Sequence, residues 1–176
     1  MKKFLVVLLV IGVLFFVGYT FYSTYAQLKD LSVQEQKSFL ELTEVHHHRL
    51  IEAENLYALM KSAKTYENSN FVEILRAMSK AKTLSTIEEA NRNLKIGLME
   101  LREEVQRDEV LKDNAGIQEK FHSIFRIGEL LDKKGKEYNA IAYELNLLTA
   151  KIPGKWIARY YNIKAYTYFF YHEEVL

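Results

Sequence analysis

From Ile117 to Pro153, apolar and small residues recur at alternating three- and four-residue steps with no proline before the last position. Ile117, Phe121, Ile124, Gly128, Leu131, Gly135, Tyr138, Ala142, Leu145, Thr149 and Ile152 therefore fall on one stripe of a single long helix. A stripe of that length must be covered, so much of the remaining chain is expected to be helix laid against it. Beside it a second line keeps strict seven-residue spacing through Phe125, Asp132, Asn139, Asn146 and Pro153, which sets polar groups at the edge of the buried face. The two asparagines are expected to bond across to another helix and fix its register, as a core asparagine does in coiled coils. On that basis Asn139→Leu would raise stability while loosening pairing specificity.

Composition supports long helices. The 176 residues include one proline and seven glycines, too few breakers for a strand-and-turn architecture. Length suits one domain, or one domain with an anchor. A formal net charge of +1 provides no field that would draw the chain to nucleic acid. Cysteine is absent, so neither disulfide nor thiolate chemistry is open to the chain.

Met1-Lys2-Lys3 precedes an uncharged run from Phe4 to Ala26. At about 1.5 Å per helical residue this run spans a bilayer core of roughly 30 Å. Tyr19, Tyr22 and Tyr25 gather at its far end, where amphipathic rings prefer the headgroup level. Residues 1–26 are thus expected to form a transmembrane anchor touching the lipid bilayer through Phe4-Ala26. Residues 27–176 follow as an antiparallel bundle of long helices with an aromatic C-terminal tail, making the fold class all-α. A cleaved signal peptide is the competing reading, because Thr24-Tyr25-Ala26 places small residues at both cleavage positions. Lys2, Lys3 and the terminal amine favour a cytoplasmic N-terminus and an exported bundle, opposed by Lys29 and Lys37 just beyond the span. The expected location is the cytoplasmic membrane, crossed once.

Leu28, Leu31, Phe39, Leu42, Val45, Ala53, Leu56, Met60 and Ala63 predict a second long helix over Gln27–Lys64, with no glycine or proline to separate it from the span. His46 and Arg49 occupy its buried side. A charge buried without a partner costs about 3–5 kcal/mol, so Arg49 calls for a carboxylate, and Asp132 is the candidate. His46-His47-His48 suggests a metal or haem, yet adjacent helical side chains diverge by about 100° and cannot converge on one ion. A polar patch with His46 turned partly inward is expected, with no metal or cofactor. Asn70 with Glu73 and Ser85 with Glu88 have capping-box spacing for helices through Phe71–Ala81 and Ile87–Val105, and Asp113-Asn114-Ala115-Gly116 supplies a turn.

Past Pro153-Gly154 the chain becomes dense in aromatics: Trp156, Tyr160, Tyr161, Tyr166, Tyr168, Phe169, Phe170 and Tyr171. One expectation folds this tail back so that Trp156 and Phe169 plug the bundle end. The other leaves Tyr166–Tyr171 to meet a ligand, a partner or lipid headgroups.

Tyr138-Asn139, Asn146, Pro153, Ala158 and Tyr168-Phe169 together resemble the pattern of the LemA family of membrane-anchored bacterial proteins. That pattern has a Tyr-Asn pair, a second Asn and a Pro at successive seven-residue steps, then an Ala and a closing Tyr-Phe. His48-Arg49-Leu50-Ile51, with Leu56 and Lys61, is similar to the family's Arg-rich segment. Glu52-Ala53-Glu54-Asn55 stands where the family carries a proline, and Glu109-Val110-Leu111-Lys112 lacks the family's aromatic and proline. The resemblance implies one membrane span and an extracytoplasmic four-helix bundle with no accepted catalytic residues. It also implies a scaffolding or accessory role, since some relatives serve magnetosome formation and others are encoded beside membrane proteases.

An enzyme needs an activated nucleophile, a perturbed carboxylate pair or convergent ligands, and the sequence displays none of these. The expected function is that of a membrane-anchored scaffold working through a protein partner or self-association. His46, Arg49, Asp132, Tyr138, Asn139, Asn146, Trp156, Tyr168 and Phe169 are its interaction or core-polar residues. The alternative is a sensor that binds a small ligand or metal between helices through His46, Arg49, Asp132, Asn139 and Asn146.

Overall fold

The computed structural model describes residues 2–64 and 66–171; Met1 of the basic leader, Thr65 and residues 172–176 of the tail lie outside them. The chain is all-helical, with no strand among the described residues. Its helices are α1 (Lys2–Ala63), α2 (Ser69–Lys80), α3 (Leu84–Arg107), α4 (Glu109–Lys112), α5 (Ala115–Ala150) and α6 (Gly154–Tyr160). The apolar run and the second predicted helix are one element, because no glycine or proline lies between Gly18 and Ala63. Phe4 to Tyr19 are exposed throughout, and α1 is the one described helix long and apolar enough to cross a membrane. Its N-terminal part is compatible with a single anchor. Thr20 and Thr24 donate to the carbonyls of Phe16 and Thr20, at 2.8 and 2.9 Å, so their hydroxyls are satisfied inside the helix.

The chain forms two compact units, Met1–Lys37 with Ala140–Thr167 and Ser38–Asn139 with Tyr168–Leu176. In the first, Leu28, Leu145 and Ile157 make a small core covered by Phe21, Leu31, Ile141, Leu148 and Tyr166. Gly154 comes so close to the Leu148 carbonyl that any side chain would overlap it. In the second, α1, α2, α3, α4 and α5 share one core that includes Leu56, Met60, Phe71, Leu94, Leu101, Leu111 and Phe121. Within that unit α1 and α5 run antiparallel, since Lys134 pairs with Glu41 at 2.7 Å and Lys120 with Glu52 at 2.9 Å.

On α5 the predicted stripe is buried from Ile117 to Leu145, with Thr149 half-buried. Ile152 departs from it and is 64% exposed, because α5 ends at Ala150 and the residues before Pro153 form a turn. Four of the seven-residue line lie at the edge, Phe125, Asn139, Asn146 and Pro153 being half-buried, while Asp132 is buried. Two caps differ from the spacing-based expectation. Asn68, not Asn70, caps α2 by accepting the Phe71 N–H at 2.9 Å, and its own N–H is held by the Tyr57 hydroxyl at 3.1 Å. Thr83 with Thr86, not Ser85 with Glu88, forms the box that opens α3. In both cases the helix starts where the chain leaves extended backbone, and a tertiary contact or a nearer hydroxyl decides that point.

Candidate functional site

Two polar arrangements stand out, both built on residues that the sequence singled out. The first begins with His46 and Arg49, one turn apart on the inner face of α1 and both buried, while His47 and His48 point outward. The Asn91 side chain of α3 joins them. Its Nδ2 donates to His46 Nδ1 at 2.7 Å and to the Ile87 carbonyl at 2.8 Å, and its Oδ1 accepts from Arg49 Nη1 at 3.2 Å. With Nδ1 accepting, the proton of the neutral imidazole sits on Nε2, which donates to the Met78 carbonyl at 3.0 Å. Burial holds the His46 pKa below its ordinary value, and Arg49 works in the same direction. Arg49 Nη1 also donates to the Tyr171 hydroxyl at 2.5 Å, and the guanidinium lies 5.4 Å from the centre of that ring. Asp132 of α5, itself buried, accepts from Lys136 one turn along at 2.9 Å.

The second arrangement holds the tail. After α6 the chain turns at Asn162, whose φ of 54° is left-handed, a conformation asparagine tolerates better than most residues. The Ile163 N–H reaches back to the Ala158 carbonyl at 2.8 Å, completing a Schellman ending. The chain then runs extended. Asn146 accepts the Tyr166 N–H and donates to the Tyr166 carbonyl, both at 2.9 Å. Asn139 does the same for Phe169, both at 2.7 Å. Each amide acts as one residue of a neighbouring strand would, so both asparagines bond to the extended tail, a partner that helical spacing does not announce. Seven helical residues advance about 10.5 Å and three extended residues about 10 Å, and this near-equality is why asparagines seven apart serve partners three apart. Phe169, 2% exposed, lies against Gly135, the helix position with room for its ring.

The other predicted residues separate. Tyr138 is buried, and Tyr168 is half-buried with its ring 6.2 Å from Phe170. Trp156 is no plug: it is 56% exposed on α6 and stacks on Phe21 at 6.1 Å, while Gly154, Ile157 and Ala158 are the buried residues of that helix. Nor do Tyr166–Tyr171 lie open as a unit, because Phe169 and Tyr171 are buried and Phe170 is exposed. Asn91 was missed by the sequence reading. Four residues after Ile87 and three before Leu94, it sits on the apolar stripe of α3, and that placement was the available signal. No group of His, Asp or Glu able to hold a metal occurs among the described residues. A cavity of about 930 Å³ forms a groove of the second unit walled by α3 and α5, with Lys95, Arg102, Glu119 and Arg126 on its sides. None of the five residues proposed for ligand sensing lines it.

Residues 39–175 match the LemA family, and no curated protein matches the chain. The matched stretch runs from the buried half of α1 through the asparagine-held tail and takes in most of the sequence; the chain belongs to the LemA family.

Proposed function

We propose that this protein is a membrane-tethered helical scaffold, a four-helix bundle carried at the outer face of the cytoplasmic membrane with its N-terminus inside, and that it works by binding a protein partner or a second copy, without catalysis. The observation that carries this reading is how the polar side chains are used. His46, Asn91, Arg49 and Tyr171 bond to one another, and Asn139 and Asn146 bond to the chain's own backbone. Such groups set shape, and they leave the charged walls of the α3–α5 groove as the surface offered outward. Tethering confines encounters to the bilayer plane and raises effective concentration, so a weak interface suffices. Family membership supports an accessory role of this kind, with a membrane protease or an organelle-assembly protein as the partner class the family resemblance implies.

The test is photo-cross-linking in native membranes from a probe placed at Met99, an exposed groove residue of α3. A discrete cross-linked species is expected there and not from a probe at Val33, exposed on α1 in the first unit. A chain that stays uncross-linked from both positions and runs as a monomer in mild detergent would refute the scaffold reading.

A further inference from the structure

We propose that α6 and the turn before it form a second membrane contact, a platform that rests on anionic phospholipid headgroups of the bilayer entered by α1. The inference rests on the anchor reading above and adds a surface to it. Depth is the first argument. Counted from Phe4, about 20 helical residues use up a hydrocarbon core of roughly 30 Å, which brings the headgroup level to the turns around Phe21–Tyr25. Those are the turns that α6 touches: Trp156 stacks on Phe21, Tyr161 lies 5.2 Å from Tyr25, and Gly154 abuts Thr24.

Exposure is the second argument. Ile152, Trp156, Tyr160 and Tyr161 are 64%, 56%, 83% and 53% exposed, and the three rings are of the type that collects at membrane interfaces. They are not needed for the core of their own unit, which α6 meets with Ile157. Charge is the third. Lys151, Lys155, Arg159 and Lys164 are all exposed, none forms an ion pair among the described residues, and no Asp or Glu occurs between Glu144 and Glu173. Basic side chains beside interfacial rings suit an anionic headgroup layer rather than a zwitterionic one. The region in contact is thus Ile152–Tyr161, and not the Tyr166–Tyr171 segment considered from sequence, whose buried rings are already engaged.

Trp156 is the only tryptophan of the chain, so its emission reports this surface alone. The full chain would be reconstituted in phosphatidylcholine vesicles with and without phosphatidylglycerol. In the mixed vesicles Trp156 should be quenched by lipids brominated high on the acyl chain and shielded from aqueous acrylamide. The Lys151→Gln, Lys155→Gln, Arg159→Gln triple variant should lose that shielding, since the contact weakens roughly fivefold for each charge removed. If wild-type Trp156 stays open to acrylamide while the chain resists alkaline carbonate extraction, the platform is wrong and the anchor stands. Release by carbonate overturns both. Equal shielding in both lipids overturns the anionic assignment, and shielding that disappears on dilution to one chain per vesicle points to a second copy instead and overturns the lipid contact.

Discussion

Replacing Asn139 by leucine separates the two possible roles of the edge asparagines, because they predict opposite signs. In the structure the amide donates to the Phe169 carbonyl and accepts the Phe169 N–H, each at 2.7 Å, and Phe169 is 2% exposed. Each bond contributes about 1 kcal/mol net, and a buried group left unsatisfied costs about 1–3 kcal/mol; since these effects overlap, the loss comes to about 2–4 kcal/mol. Leucine at a half-buried position returns about 1 kcal/mol through apolar burial, so Asn139→Leu should be less stable by about 1–3 kcal/mol. For a chain of this size that lowers the thermal midpoint by roughly 3–10 °C, measured by circular dichroism of the full chain in detergent, and it should speed proteolysis after Tyr166. Asn139→Asp sharpens the test. Its carboxylate keeps the bond from the Phe169 N–H but faces the carbonyl, which favours the protonated form and raises its pKa above the unfolded value of about 3.9. The deficit relative to wild type should then be full near neutral pH and shrink as pH falls through the raised pKa, where the acid can donate. A leucine variant as stable as wild type or more so, with an unchanged tail, would refute the backbone-pairing argument.

Stability should fall as pH drops below about 6.5, because burial lowers the His46 pKa and the unfolded state then binds a proton that the folded imidazole refuses. Thermal midpoints at pH 7 and 5 measure this, and His46→Leu, though less stable at both, should show the shallower slope. Gly135→Ala should destabilise: a helix gains about 1 kcal/mol from the exchange, but the added Cβ would lie 2.9 Å from Phe169 Cε1, and nearer still to Cδ1, against a ring with no room to retreat, which costs about 1–3 kcal/mol or more. Adding Phe169→Leu to that variant should recover part of the loss in the same melting assay. Tyr171→Phe keeps the ring beside Arg49 and removes the hydroxyl that accepts its Nη1 proton, so urea unfolding should show a loss of about 2 kcal/mol, the scale of a hydrogen bond to a charged group.

The stripe on α5 and its polar edge were legible because helical period alone places residues on faces, and from Ile117 to Leu145 nothing interferes with the period. Ile152 fell off the stripe where the helix ended, an event period cannot show. The asparagines were legible at the right depth, but the tail as their partner was not. Helical spacing suggests a helical neighbour, whereas the extended run after Asn162 has no periodic pattern to announce it, since inward Phe169 and Tyr171 are flanked by equally aromatic Tyr168 and Phe170. Arg49 and His46 were recognised as buried from their places on α1. Their link through Asn91 was not, because a single amide on an apolar stripe is inconspicuous and its partners lie 45 and 42 residues away. Trp156 shows the limit of composition: the largest ring of the tail suggests core, yet it is 56% exposed and its ring contact is with Phe21, at the end of the apolar run.

The matched steps of helix and tail act like a vernier. Gain or loss of one residue between Asn139 and Asn146, or between Tyr166 and Phe169, would leave one asparagine aligned and throw the other out of reach. Between Gly154 and Ala165 the chain carries no such double constraint, so changes of length in family relatives are expected to collect there, while both short intervals keep their count.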